Sequence, residues 1–368
     1  MSAGQKGEVK GMREIAEQFC LEGKPVRCEH HGNGHINETY FVRTDKPREY
    51  ILQRMNTQVF PDVEGLMRNV AAVSAYLRRG CDDPRRVLTL VPTRDGASFY
   101  RAADGGCWRV FDFISGGVCL EQADSARDMR ECGAGFGAFQ RRLADFPAHT
   151  LTETIPRFHD TPERFRQLRR AIEEDRAGRL KDVRPEVEAY LSREAEADAL
   201  TRLHREGVLP TRVTHNDTKI NNIMLDAQTR TALCVIDLDT VMPGLAAHDF
   251  GDAIRSGANT AAEDERDLSR VSLSLPYVEA FAQGFLGACG GSLTQAEIET
   301  LPMGAKLMTL ECGARFLADH LNGDVYFHVS REGHNLDRTR TQIALVQDME
   351  RKWDDMRRII ARAGGRQA

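Results

Sequence analysis

No run of this sequence is apolar for the ~20 residues that a membrane-spanning helix requires. No lysine-rich tract or basic stripe is present, and the net charge of −5 with a pI near 6.2 argues against a nucleic-acid partner. The N-terminal MSAGQKGEVKG lacks the apolar centre of a secretory leader. The nine cysteines are scattered, odd in number and without a CxxC pair, which excludes a disulfide framework and predicts small buried thiols in a reducing cytoplasm. Two further absences narrow the chemistry. There is no GxxxxGK[ST] phosphate loop and no HExxH or comparable zinc spacing. Internal repeats, low-complexity tracts and long linkers are missing as well.

What is present is an ordinary globular composition: 368 residues, 41% hydrophobic and 29% charged, enough for two lobes. Residues 11–23 read as a short helix. The stretch 30–42 reads as a glycine turn followed by a strand, and 49–56 as a second strand. Residues 63–80 form an amphipathic pattern, with Leu66, Val70, Val73 and Leu77 on one face and Gly80 as the stop. Strand-like segments follow at 86–91, 97–101 and 107–114. Helical spacing then takes over at 125–145, 161–180 and 185–206, and again from about 265 to the end. Two short apolar strands, TRVTH and TALCVID, interrupt the helices. The predicted class is α+β: a small N-terminal antiparallel β lobe over 1–116 ending in a hinge, and a larger, mainly helical lobe over 117–368.

Between those two strands lies HNDTKINN, dense in small polar residues. Phosphoryl transfer needs a carboxylate to orient or deprotonate the acceptor hydroxyl, cations on the phosphates, and oxygen ligands for a metal. Asp217 supplies the carboxylate, Lys219 a positive charge, and Asn222 a neutral oxygen five residues on. CVIDLD then ends an apolar strand in Asp237, a hard oxygen ligand suited to Mg²⁺. Read singly, Asp217 and Asn222 are turn residues bonding their own backbone. The ordered set points instead to the catalytic and metal loops of a kinase. His215 is expected to brace the loop, and Asp249 and Asp252 of DFGD to cap a helix and brace the same loop.

HNDTKINN, VIDLDTVMPG and HDFGDAIRSGA resemble the aminoglycoside phosphotransferase/choline kinase superfamily, whose fold is protein-kinase-like. GNGHINETY, YILQRMN, LTETIPRFHDTP, LECGARFLADHLNGDVYF and HNLDRTRTQIALVQDME narrow the likeness to the N-acetylhexosamine 1-kinases. The resemblance covers nearly the whole chain. It implies a cytoplasmic monomer that transfers phosphate from ATP, with Mg²⁺, to a small-molecule sugar. Gly32 and Gly34 would let backbone amides approach the nucleotide phosphates. Phe113 and Ile114 would mark the hinge that reads the adenine edge. His35 and Asn37 would lie near sugar and phosphates.

Gln53 occupies the strand position where protein kinases carry a lysine, which leaves open the group that binds the α- and β-phosphates. Arg54 should point to the opposite strand face. On the segment 310–321, Glu311, Arg315 and Asp319 recur at four-residue intervals. They read either as a solvated ion-pair ladder or, by the family likeness, as a sugar-pocket wall in which Arg315 bonds the sugar and Tyr326 stacks on it. Two rivals stay open: another small-alcohol or antibiotic kinase (aminoglycoside, choline or homoserine type), and a nucleotide-binding pseudokinase.

Overall fold

The computed structural model describes residues 11–32 and 36–365. It is mixed α+β, with an antiparallel sheet in the N-terminal part and helices in the C-terminal part. The chain divides into two compact units. The first comprises 1–117 together with two later segments, 149–156 and 233–242; the second comprises the rest.

In the first unit a short helix, α1 (residues 11–16), precedes the strands β1 (Pro25–His30), β2 (Glu38–Thr44) and β3 (Glu49–Met55). These pair in antiparallel order with β6 (Cys107–Asp112), which also takes β4 (Leu90–Val91) and β5 (Tyr100–Arg101). Strand alternation explains the two faces of the sheet. Tyr40, Val42, Tyr50, Leu52, Trp108 and Val110 pack with Ala16 and Phe19 of the N-terminal segment. The opposite face carries Thr39 and Gln53 in register, and Gln53 in turn opposes Arg109. Arg54 lies on the other face as expected, its guanidinium 5.8 Å from the Trp108 ring centre. Helix α2 (Val63–Arg78) starts at Asp62, whose carboxylate accepts from the Gly65 N–H. Its predicted stripe of Leu66, Val70, Val73 and Leu77 is buried.

The expected helix over 11–23 is shorter than read, because Phe19 leaves it to bridge Thr93. The expected strands over 86–91 and 97–101 shrink to two residues each, since a 3₁₀ turn at Pro84–Arg86 and the turns that follow consume the rest.

The second unit holds α3 (Ala126–Arg142), α4 (Thr161–Glu174), α5 (Arg184–Leu191), α6 (Ala199–Arg205), α7 (Ala246–Gly257), α8 (Leu275–Cys289), α9 (Gln295–Asn322), α10 (His334–Arg351) and α11 (Trp353–Ala363). The predicted single helix over 185–206 is thus two. Short strands β7 (Gly117–Cys119), β8 (Arg212–Thr214), β9 (Ile223–Asp226), β10 (Ala232–Val235) and β11 (Met242–Gly244) punctuate the chain. Helix α9 opens with a capping box, Thr294 and Glu297. It is buried around most of its circumference because α4, α7 and α10 all pack on it. Where α7 crosses α9 the backbones nearly touch: a Cβ on Gly251 would lie 2.4 Å from the Gly304 carbonyl oxygen. That close approach fixes the height of α7, and with it the acids beneath the HNDTK loop.

Candidate active site

The HNDTK loop leaves β8 and is held from below by α7 and α3. Asp249 sits in the first turn of α7 and does not cap it; the capping position is Leu245. It does brace the loop: its carboxylate accepts the backbone N–H groups of His215 (2.9 Å) and Asn216 (2.8 Å), and the Gln140 side-chain N–H at 2.7 Å. Burial pushes the Asp249 carboxyl up, against these donors and His215. The loop's backbone donors are therefore satisfied by a buried acid rather than by a strand partner. Asn216 takes the left-handed conformation, φ 64°, which asparagine tolerates. The turn swings Asp217 outward. His215 is buried between the rings of Phe136 and Phe139, and its Nδ1 accepts the Asp217 N–H at 3.3 Å.

The structure brings Asp217, Lys219 and Asn222 together. Lys219 Nζ lies 3.2 Å from Asp217 Oδ1, and Asn222 Nδ2 donates to Asp217 Oδ2 at 2.9 Å and to its carbonyl at 2.8 Å. Burial raises the Asp217 carboxyl, but Lys219, His215 and Asn222 together outweigh it and hold it below the usual carboxylate range. Asp217 in turn raises the Lys219 ammonium. At neutral pH the pair is carboxylate and ammonium: a weak base beside a fixed positive charge. The Asn222 amide nitrogen is engaged by Asp217, so only its oxygen, a hard donor atom, could serve a cation. Among the described residues no cluster of three or more His, Cys, Asp or Glu forms a self-sufficient metal cage. Mg²⁺ bound mainly through substrate phosphates needs none.

Around the acceptor candidates the ion-pair ladder, the plainer of the two readings of 310–321, does not form. Glu311 is buried; it accepts from Thr161 Oγ1 at 3.0 Å and pairs with His159 Nδ1 at 2.9 Å. Asp319 is also buried and accepts the backbone N–H groups of Val325, Tyr326 and Phe327. It shapes the turn after α9, and that turn aims two rings at Arg315. The Arg315 guanidinium lies 5.3 Å from the Phe158 ring centre, 5.8 Å from Tyr326 and 5.3 Å from Phe327. Tyr326 itself is 61% exposed.

In the first unit, Gln53 is bound on both sides. Its oxygen accepts from Arg109 Nε (3.0 Å) and Nη2 (2.8 Å), and its amide donates to Thr39 at 3.1 Å. Arg109 is 1% exposed and forks onto the Asp239 carboxylate. Asn37 donates to Asp239 Oδ2 at 2.7 Å and accepts the Asn56 N–H at 3.0 Å, so its side chain is built into this knot. Asp237 lies two residues beyond β10 in a left-handed turn, φ 58°. Phe113 gives its N–H to the Glu49 carbonyl at 3.0 Å and packs edge-on against Phe41; Ile114 is buried. Gly32 has φ 75°, a conformation suited to glycine. Gly34 and His35 lie outside the described residues.

Sequence reasoning missed Arg109, Asp239 and His159. Arg109 read as one more residue of a core strand. Asp239 stood two positions past the acid that drew notice. His159 carried no local motif, only its place in RFHDTP.

Residues 27–282 match the family model described as the phosphotransferase enzyme family, APH. The chain belongs to that family. Among solved structures it is similar to a microcompartment-associated aminopropanol kinase, with 18% identity, a TM-score of 0.58, and coverage of 97% of this chain and 99% of that one. It is also similar to an amicoumacin kinase in complex with AMP-PNP, Ca²⁺ and Ami, at 16% identity and TM-score 0.58, covering 94% of this chain and 96% of that one. A Plasmodium vivax ethanolamine kinase matches at 15% identity and TM-score 0.57, over 88% of this chain and 84% of that one. At these identities the likeness establishes a shared fold. Among the described residues no helix is long and apolar enough to cross a membrane.

Proposed function

We propose that this protein is a kinase that moves the γ-phosphoryl group of ATP to the anomeric hydroxyl of a free N-acetylhexosamine. Asp217 orients the 1-hydroxyl and accepts its proton. Lys219 offsets charge that builds on the transferring group. The Asn222 oxygen is assigned to Mg²⁺, and Asp237 is given the same role from its place in the VIDLD motif. Bound Mg²⁺ would neutralise the phosphate oxygens. A carboxylate held below its usual range is a weak base, and an anomeric hydroxyl is more acidic than an ordinary alcohol, so the two are matched.

The observation that carries the choice of acceptor is Arg315 among three aromatic rings. Among the described residues it makes no hydrogen bond or ion pair, so its donors are available to a ligand. A fixed guanidinium repels choline, ethanolamine and polycationic aminoglycosides. It suits a neutral, oxygen-rich acceptor, with the exposed Tyr326 ring as a platform for a pyranose face. The sequence likeness to N-acetylhexosamine 1-kinases supports the same reading.

The test is ATP consumption with N-acetylglucosamine, N-acetylgalactosamine, their 1-O-methyl and 6-deoxy analogues, choline and kanamycin. Both free sugars and the 6-deoxy analogues should turn over, and the methyl glycosides should be inert. Turnover of the methyl glycosides would refute the anomeric assignment, and a preference for choline or kanamycin would refute the acceptor class.

A further inference from the structure

The amide plane that precedes the proposed base is gripped on both edges. The Asn216 carbonyl and the Asp217 N–H belong to one rigid peptide unit. On one edge, His215 Nδ1 accepts the Asp217 N–H at 3.3 Å. On the other, His159 Nε2 lies 3.1 Å from the Asn216 carbonyl oxygen. A carbonyl can only accept, so Nε2 of His159 must carry a proton. Its Nδ1 is 2.9 Å from Glu311 Oε1, and an ionised carboxylate also only accepts. Both side chains are buried, 7% and 1% exposed, so water does not supply the missing partners. The two histidines are therefore not equivalent: His215 presents a bare nitrogen, whereas His159 presents two N–H groups.

We propose that His159 is a positioning residue, held as an imidazolium by Glu311, which fixes the peptide plane before Asp217 and links it to the Arg315 cage. The link is Phe158. Its ring lies 4.4 Å from the His159 ring and 5.3 Å from the Arg315 guanidinium, so an acceptor that engages Arg315 presses on the residue beside the clamp. The proposal rests on Asp217 being the base.

The charged and titratable groups around the ring are few. Glu311 and Arg315 face it from α9 and Arg164 from α4, where Arg164 Nη2 donates to the Phe158 carbonyl at 2.7 Å. From α7 come Asp252 and His248, the latter with its ring 5.2 Å away. Burial lowers the His159 imidazole, but Glu311, the Asn216 carbonyl and Asp252 outweigh it and leave it raised. Burial raises the Glu311 carboxyl, but His159, Arg315 and Arg164 outweigh it and leave it lowered. These directions agree with the ion pair that the geometry requires. Because His159 is raised, the clamp is complete below the ordinary histidine range and is lost as pH rises through the folded value.

The experiment is nitrogen-15 NMR of the full chain labelled at histidine, with His159→Gln used to assign the signal. His159 should show two protonated ring nitrogens at pH 7.5, and Glu311→Gln should convert it to a neutral tautomer. A neutral His159 at pH 7.5 in the unmodified protein would overturn the proposal. Kinetics give the second readout. His159→Gln should lower kcat by ~10–100-fold, as a base displaced by a fraction of an ångström would, with KM for ATP within about twofold. Glu311→Gln should move the alkaline limb of kcat to lower pH by about a unit or more. An unmoved limb, or unchanged kcat in both variants, would overturn the positioning role. Should His159→Gln fail to fold, the Glu311→Gln pH profile decides alone. The NMR result does not depend on turnover, so failure of the base assignment and failure of the clamp are separable.

Discussion

Two arginines set the two units apart. Arg109 in the first unit is sealed: Asp239 takes its fork, Gln53 takes two more donors, and water is excluded. Arg315 in the second has three aromatic faces for neighbours and, among the described residues, no oxygen partner. A guanidinium whose donors are satisfied serves the fold. One that is held in place without an acceptor is prepared for a ligand. The difference also bears on Gln53. A kinase strand lysine would need to reach out of the sheet, whereas this glutamine is turned inward as part of the Arg109 knot. Changes in the knot should therefore cost stability, changes in the HNDTK loop should cost turnover, and changes in the cage should cost acceptor affinity.

The largest effect expected is on turnover. Asp217→Asn should reduce kcat by ~10²–10⁴-fold, the usual contribution of a positioned base, while ATP still binds. Thermal stability should change little, because Asn222 and Lys219 keep a polar partner. Near-normal turnover would end the comparison by removing the chemistry from the second unit.

Arg109→Met should do the opposite. Removing one partner of a buried, forked pair leaves Asp239 uncompensated and should destabilise by about 3–5 kcal/mol. The double variant Arg109→Met with Asp239→Leu should recover much of that loss, read as the midpoint of urea unfolding. If Arg109→Met left the midpoint unchanged, the knot would not be the structural element described here.

Much of this was legible in the sequence. The α+β class, the Asp217/Lys219/Asn222 grouping and the α2 stripe follow from local spacing, and spacing is what a sequence displays. The knot was not legible, because Gln53, Arg109 and Asp239 are far apart in the chain and meet only through strand register. The alternative ladder over 311–319 would have taken spacing for pairing. Four-residue intervals put Glu311, Arg315 and Asp319 on one side of α9, but both acids are buried there and are bound by residues outside the helix, Glu311 by His159 and Asp319 by Asn335 and the turn that follows α9. His159 shows the same limit: its meaning depends on Glu311, 152 positions away.

Arg315→Ala tests the other half of the comparison at a smaller scale. KM for the sugar should rise ~10–100-fold, the weight of a lost charged hydrogen bond or two, with KM for ATP unchanged. A rise confined to ATP would mean that the aromatic cage serves the nucleotide.

The smallest effect separates two neighbouring histidines that should respond to pH in opposite directions. His159 is raised and His248 is lowered to about 3, first by burial and then by the His159 charge. Among the described residues the buried His248 Nδ1 has no hydrogen-bond partner, so a proton there would find none of them to bond. Below pH 6.5 the unfolded chain protonates His248 and the folded chain does not, so stability falls as pH drops through that range. One such group contributes at most about 1.4 kcal/mol per pH unit. Glu311, lowered from 4.5, contributes only below pH 4.5 and His159 only above 6.5, whereas His320 and His334, also lowered by burial, share the window with His248, so the difference between variant and parent is what reads the His248 part. His248→Gln should lessen the slope of unfolding free energy between pH 6.5 and 4.5 while leaving the alkaline side unchanged. An equal slope in variant and parent would mean that His248 takes up its proton in the folded state, and the contrast between the two rings would fail.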